Sequence, residues 1–543
     1  MRLSSRTTLV CLITLHFVAI ANVDMWARET PHIQMQNGTG EFIVDGRPFL
    51  IRGGELGNSS AGTAAEADRI VPNVARLHVN TILMPVAWEQ IEPKEGSFDF
   101  SILDHWIDVA SENHVRLVLL WFGSWKNAFS NYAPAWVKQD TRRFPRAQAG
   151  DGAALEILSA LSEENRRSDS RAFRSLMHHV REKDGESETV LMVQVENEVG
   201  YLGWGRDRSE DANTLFRGRV PDKLITALAA KGRLSPELAA HFDPHGRTWS
   251  EVFGDAADEV FMAWNYANYM EAVAHAGKQE YGIPMYVNAQ LPAELESAGK
   301  YPSGGPHPYY LEVWRVAAPS LDFYSPDIYW PDFEYWMKRY EIPGNAVFVP
   351  EARMDVASFN ALYAYGEARA FGFSPFAIDA LEATDSPAPG IMQVYQLLES
   401  LEDLLPAAQA EGKTRALVLH KTSPRLTQTV ALGGYLFEAA LSRSWPERAV
   451  IADHGAALIL ESGPGEFYIL GSGLTVNFIR DPDVDSGSAG IASVEQVTRR
   501  GGNWTTERWL NGDQTNQGRE LLTDPRQPRI YRVRLYAIPS GRH

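Results

Sequence analysis

Cysteine is almost absent from this 543-residue chain: its one thiol, Cys11, sits among the first twenty residues. A single cysteine forms no internal disulfide and no zinc–thiolate site. Basic residues are in deficit, with 51 Lys and Arg against 69 Asp and Glu for a net charge of −18. That balance disfavours nucleic acid or an anionic membrane as partner and favours solubility. Long apolar runs are missing too, apart from Thr7 to Ile20, which follows Arg2 and Arg6 and leads into Ala19-Ile20-Ala21. This stretch is shorter than the roughly 20 residues of a membrane span. It reads as a secretory signal over residues 1–21, so the chain is expected to be exported, periplasmic or secreted, with Cys11 removed on cleavage. No Gly-x-Gly-x-x-Gly follows the first strand, where Gly53-Gly54-Glu55 is acidic just where a phosphate would lie. No His-Glu-x-x-His accompanies His178-His179, which face apart if helical. No metal or organic cofactor is expected.

Apolar residues are present in ordinary globular proportion, 44%, and tryptophan is plentiful at 15. From about Glu41 to Glu382, short apolar runs alternate with segments of helical period, the pattern of βα units around a parallel sheet. After an opening hairpin turning at Asp45-Gly46, eight strands can be counted. They are Phe49 to Gly53, Thr81 to Val86, Leu117 to Trp121, Val190 to Val195, Pro284 to Val287, Leu321 to Ile328, Ala346 to Val349 and Gly372 to Ala377. Eight fit a closed (β/α)8 barrel, here assigned to residues 22–408, with polar insertions near 141–171 and 205–249. Met392 to Ala408 reads as the last helix. Beyond Gly412 the runs become short, β-prone and punctuated by Gly and Pro, as in Ser462-Gly463-Pro464-Gly465. Residues 412–543 are expected to form an all-β sandwich.

The chemistry concentrates where strands end. Val190-Leu191-Met192-Val193-Gln194-Val195 is apolar enough to be buried on both faces, yet it runs straight into Glu196-Asn197-Glu198. Unpaired buried carboxylates cost several kcal/mol, so acids at such a place need a reason. A second strand, Ala346-Val347-Phe348-Val349, ends in Pro350-Glu351-Ala352. Two carboxylates at the carboxyl ends of interior strands are the pair that glycoside hydrolysis uses. Other strand ends carry Glu55 and Asn58, Trp88 and Glu89, Trp121 and Trp125, Asn288, Asp327-Ile328-Tyr329-Trp330, and Asp379. Glu55, Glu89 and Asp379 also have a plain reading as helix caps or ion-pair partners. Trp88, Trp121 and Trp330 are candidate platforms for a sugar ring, core packing being the alternative for each.

Gln194-Val195-Glu196-Asn197-Glu198-Val199-Gly200 resembles the acid/base motif of glycoside hydrolase family 35, within the clan of retaining (β/α)8 glycosidases. Asn80-Thr81 through Trp88, then Glu92-Pro93 and Gly96 to Phe100, resembles that family's second strand and loop. Val199, Pro85-Val86, Glu89-Gln90-Ile91, Gly53-Gly54-Glu55 and Pro350-Glu351-Ala352 depart from its usual pattern and suggest a divergent bacterial branch, some members of which remove galactose from xyloglucan. The resemblance implies a retaining exo-β-galactosidase acting on carbohydrate. Glu198 would be acid/base, Glu351 nucleophile, Asn197 the partner of the sugar 2-hydroxyl, and Tyr329 the residue orienting the nucleophile. Glu55, Asn58 and the three tryptophans complete the expected substrate-binding set. Two alternatives stand beside it: a clan relative acting on glucosidic or mannosidic chains, and a barrel that binds carbohydrate without catalysis. Strand period two would point Glu196 and Glu198 the same way. For Asn197 and Glu198 both to reach substrate, the strand must bulge or end there, leaving Glu196 behind them.

Overall fold

The computed structural model describes residues 29–539 except 294–295, 384–389, 423–424, 445–448 and 485–486. The expected signal segment lies outside the described residues. Among these, no helix is long and apolar enough to cross a membrane.

Eight parallel strands close into a barrel: β1 (Ile51–Glu55), β2 (Thr81–Ala87), β3 (Arg116–Phe122), β4 (Val190–Val195), β5 (Met285–Gln290), β6 (Phe323–Ile328), β7 (Phe348–Ala352) and β8 (Gly372–Pro375). The eight expected strands are all present; β1 and β7 begin two residues later than their apolar runs and carry their glutamates inside the strand. Alternation sorts the side chains into two cores. Leu83, Leu120, Phe122, Tyr286, Phe323 and Phe348 fill the barrel, plugged from below by Phe42 of the opening hairpin. Ile82, Met84, Leu119, Val287 and Tyr324 face outward against the helices. The hairpin turns at Asp45 and Gly46 with φ of 53° and 70°, the left-handed pair that a two-residue turn requires. Closure is fastened from outside by helix Gly390–Glu399. Its Tyr395 hydroxyl lies 2.8 Å from the Gly53 carbonyl on β1 and 2.7 Å from the Phe373 carbonyl on β8. The expected single last helix breaks after Glu399 and resumes at Leu405–Ala410, where Pro406 occupies a first-turn position.

The polar insertions become local structure over the mouth: a small hairpin pairing Arg146–Gln148 with Ala154–Leu158, and short helices Glu210–Arg217, Asp222–Ala229 and Pro236–Ala239. From Thr414 onward the described residues are mainly β, with one helical turn at Gly512–Thr515. A six-stranded sheet and a four-stranded sheet share one apolar core that includes Leu417, Phe437, Ile459, Phe467, Ile469 and Val476. The opposite face of the larger sheet (Ala416, Leu458, Leu460, Tyr468, Leu470, Ile530) merges with the outer core of the barrel. Helix Ala357–Gly366 approaches it so closely that a Cβ on Gly366 would lie 2.7 Å from the Arg415 carbonyl. The strands His454–Gly463 and Glu466–Ser472 of the larger sheet are therefore largely buried on both faces, while its far edge, Asn503–Leu510, is mostly exposed.

Candidate active site

Strand β4 stops at Val195, and the next residues abandon extended backbone: Glu196 has φ 61° and Glu198 φ 46°. These two left-handed residues end the alternation, which is how neighbours Glu196 and Asn197 come to serve different sides. Glu196 is fully buried and turns back under the loop that follows β3. It accepts the Ser124 N–H at 3.0 Å and the Trp125 N–H at 2.7 Å. Asp169 lies beside it and accepts the Trp121 indole N–H at 2.9 Å, the Ser124 hydroxyl at 2.5 Å and the Tyr269 hydroxyl at 3.1 Å. Burial first, then the Asp169 charge, pushes the Glu196 carboxyl well above its usual range. Gly123 is required here, since a Cβ would sit 2.5 Å from Glu196 Oε1 and 2.3 Å from the Trp121 indole nitrogen. The effect is to zip the β3 loop to the end of β4: the Ala128 N–H donates to the Glu198 carbonyl at 3.1 Å, and the Asn197 N–H to the Trp125 carbonyl at 3.3 Å.

On the mouth side, carboxylate oxygens of Glu198, Asp327 and Glu351 all lie within 4.8 Å of one another. Glu351 projects from β7 where the pairing of that strand with β8 shifts register between Val349 and Ala352. The Tyr329 hydroxyl donates to Glu351 Oε1, and the Asn127 amide donates to Glu198 Oε2. Asn288 on β5 accepts the Glu198 N–H at 3.0 Å and donates to Asp327 at 2.6 Å. Glu55 closes the group from β1 and is buried. Burial, then the field of Glu351, pushes the Glu55 carboxyl far up, and the same two causes act on Asp327. Burial first and the Glu351 charge second raise the Glu198 carboxyl to about 7, against the pull of Lys126 and of the hydrogen bonds from Asp327 and Asn127. The three clustered oxygens have the spacing for a cation, and the Lys126 ammonium lies in the field of the same carboxyls.

The expected residues divide cleanly. Glu198, Glu351, Asn197, Tyr329 and Glu55 meet at the mouth. Both polar atoms of the Asn197 amide are buried without a partner, as are Glu351 Oε2, Asp327 Oδ1 and Glu55 Oε1, so the site presents unmet donors and acceptors to whatever enters. Asn58 is half-buried on the loop after β1 and also holds an unpartnered Oδ1. Trp88 and Trp121 are not sugar platforms. Both continue the outward parity of β2 and β3 and are 0% exposed. Their N–H groups are held by Glu92 at 2.9 Å and Asp169 at 2.9 Å. Trp330 does reach the surface, 38% exposed, with its N–H donated to the Leu291 carbonyl at 3.0 Å. A paired substitution separates the two kinds of tryptophan. Trp88→Ala is expected to cost about 3–5 kcal/mol of stability, read as a lowered melting temperature. Trp330→Ala should leave melting unchanged and raise KM by about two- to ten-fold, the worth of one ring contact.

The plain readings hold for Asp379, which accepts the Gly57 N–H at 2.8 Å and the Ser60 hydroxyl at 2.7 Å, and for Glu89, paired with Lys138 at 3.0 Å. His178 and His179 take separate partners, Glu280 and Asp104. His307 is buried and bonded to the Pro302 carbonyl at 2.8 Å, and burial pushes its ring down to about 4. Lys126, Asn127 and the function of Asp327 were not expected from sequence. The available signal was a Lys-Asn pair just beyond a strand of the barrel's carboxyl face.

Residues 61–231 match the model of glycoside hydrolase family 42, described as β-galactosidase, and residues 391–522 match a domain of unknown function, DUF5597. A β-galactosidase of Xanthomonas manihotis is 26% identical over 261 residues, covering 42% of this chain and 40% of that protein. The chain thus spans less than half the length of this curated relative. Similar solved structures include the β-galactosidases of Marinomonas ef1 (14% identity, TM-score 0.44, 65% of this chain and 60% of that one) and Rahnella sp. R3 (15%, TM-score 0.45, 66% and 57%). The matching model is that of family 42, not the family 35 that the β4 motif resembles; what the two share is a β-galactosidase-type barrel.

Proposed function

We propose that the chain is a retaining exo-β-galactosidase. One observation carries the reading: Glu198 and Glu351, on opposite sides of the barrel mouth, bring carboxylate oxygens within 4.8 Å. Retaining glycosidases hold their carboxyls about 5–5.5 Å apart, whereas inverting enzymes leave about 6.5–9.5 Å for a water. Glu198 carries the proton that the leaving oxygen needs, and Glu351, oriented by Tyr329, attacks the anomeric carbon to give a glycosyl-enzyme. Water then displaces Glu351 while Glu198 takes a proton back. Burial of Glu198, Glu351 and Asn197 favours a terminal sugar over an internal segment of a chain, which supports exo action. Galactose as the sugar draws on the family 42 match, and xyloglucan side chains are the substrate that the β4 resemblance suggests. Unlike a barrel that only binds carbohydrate, this one retains both carboxylates. Aryl β-galactoside, β-glucoside and β-mannoside substrates decide the sugar, galactose being the one expected to turn over fastest. Mass spectrometry after incubation with a 2-fluoro-galactoside should place the label on Glu351; a label elsewhere, or none, overturns the mechanism.

The raised Glu198 fixes a pH dependence. It must be protonated in the free enzyme, so kcat/KM should fall as pH rises through about 7. Asn127 donates to the ionised carboxylate and so favours it. Asn127→Ala should therefore move that alkaline limb to higher pH, by about half a unit to one unit; movement to lower pH would contradict the assignment.

A further inference from the structure

Lys126 occupies an unusual position for a lysine. It follows β3 on the loop held by Glu196 and Asp169, is only 3% exposed, and has its ammonium 5.2 Å from the Phe122 ring centroid. Among the described residues its Nζ makes no hydrogen bond or ion pair. A desolvated ammonium without a partner is costly. Here it faces Glu55 from β1, Glu198 from the end of β4, Asp327 from β6 and Glu351 from β7. The Tyr286 hydroxyl from β5 and the Tyr329 hydroxyl beyond β6 lie in the field of Glu55, Asp327 and Glu351 as well. Burial alone would push Lys126 down, but the surrounding carboxyls, Glu351 first and Glu198 next, outweigh it and push the ammonium up.

We propose that Lys126 is the fixed counter-charge of the catalytic pair, serving Glu351 in the free enzyme and Glu198 in the glycosyl-enzyme. The inference rests on the retaining mechanism above and adds a positioning residue to it. Burial pushes Glu55 and Asp327 far up, toward their neutral forms, so the charge that Lys126 answers is the one that moves between Glu351 and Glu198. In the first step the bond from C1 to the leaving oxygen breaks and the bond from C1 to Glu351 forms. The Glu198 proton goes to the leaving oxygen, so the negative charge passes from Glu351 to Glu198. In the second step a water oxygen bonds to C1, the ester bond breaks, and a water proton returns to Glu198. The charge then sits on Glu351 again. An ammonium that is tied to neither carboxylate favours whichever is ionised, and it need not move between steps.

The test is the pH profile of Lys126→Met, with Lys126→Gln as a second neutral variant should the first fail to fold, and Lys126→Arg as the charge-keeping control. At separations of about 6–12 Å and an effective dielectric near 20, losing the ammonium should move the ionisation of both carboxyls to higher pH by about one to two units. The whole bell of kcat/KM for an aryl β-galactoside is expected to move alkaline by that amount. The acid limb of the deglycosylation rate, read as steady-state turnover after a burst with an activated leaving group, should move with it. Lys126→Arg should restore both profiles to within a few tenths of a unit. Folded neutral variants with unmoved limbs, or with only the glycosylation limb displaced, overturn the proposal. Trapping the wild-type enzyme with the 2-fluoro-galactoside separates the two readings. A trapped wild type with unmoved limbs defeats the Lys126 proposal alone, whereas an untrapped wild type defeats the retaining mechanism itself.

Discussion

Glu351→Gln is expected to lower kcat for aryl β-galactosides by about 10⁴-fold or more, the scale on which losing a covalent nucleophile is felt. The amide keeps the shape of the side chain and can still meet the Tyr329 hydroxyl, so the melting temperature should hold while turnover collapses. The two proposed roles are not interchangeable, because burial and the Glu351 field push Glu55 and Asp327 far up, and the proposed mechanism uses Glu198 as an acid. No neighbouring carboxylate is thus free to substitute. A smaller replacement, Glu351→Ala, opens the face from which the nucleophile attacked. Azide entering there should bond to C1 with inversion and give an α-galactosyl azide, identifiable by its anomeric coupling. Full activity in the Gln variant would end the assignment.

Glu198→Ala should behave differently, and the difference is diagnostic. General acid catalysis is worth about 10²–10⁴-fold, but only where the leaving oxygen needs a proton. A dinitrophenolate leaves without one. Glycosylation by dinitrophenyl β-galactoside should be nearly preserved, whereas galactosides with alkyl leaving groups should lose the full factor. Deglycosylation also suffers, since no base remains to activate water; azide, already anionic, should restore it and yield a β-galactosyl azide. The alkaline limb near pH 7 should vanish with the group that causes it. Equal losses across leaving groups, or a persisting limb, would mean that Glu198 is not the proton donor.

Much of this site was legible from residue order. Acids do not end an apolar strand by chance, so Glu198 and Glu351 stood out, and alternation with helical segments was enough to count eight strands. Parity was the part left unread. Carried along β3, the same alternation that puts Leu120 and Phe122 inside the barrel puts Leu119 and Trp121 outside it; β2 treats Trp88 likewise. The carboxyl pair escaped this rule only because backbone irregularities broke it, with left-handed residues after β4 and a register shift in β7. Such breaks depend on pairing with neighbouring strands, which a single strand's residues do not encode. Lys126 and Asn127 were missed for a related reason. They lie in a loop whose course is set by Glu196 and Asp169, buried acids from β4's end and a distant helix, and local sequence has no means of showing that junction.

The C-terminal match begins at residue 391, inside the helix whose Tyr395 hydroxyl joins the first and last strands of the barrel. The segment that a sequence comparison separates as a second module thus includes the fastening of the first. With the inner strands of the larger sheet covered on both sides, the β region shares its packing with the barrel instead of hanging from it as an independent appendage. Exchange of modules by recombination would leave the junction of β1 and β8 without its Tyr395 clasp on one side of the cut and a bare apolar sheet face on the other. The two parts are constrained to be inherited, and to diverge, as one unit.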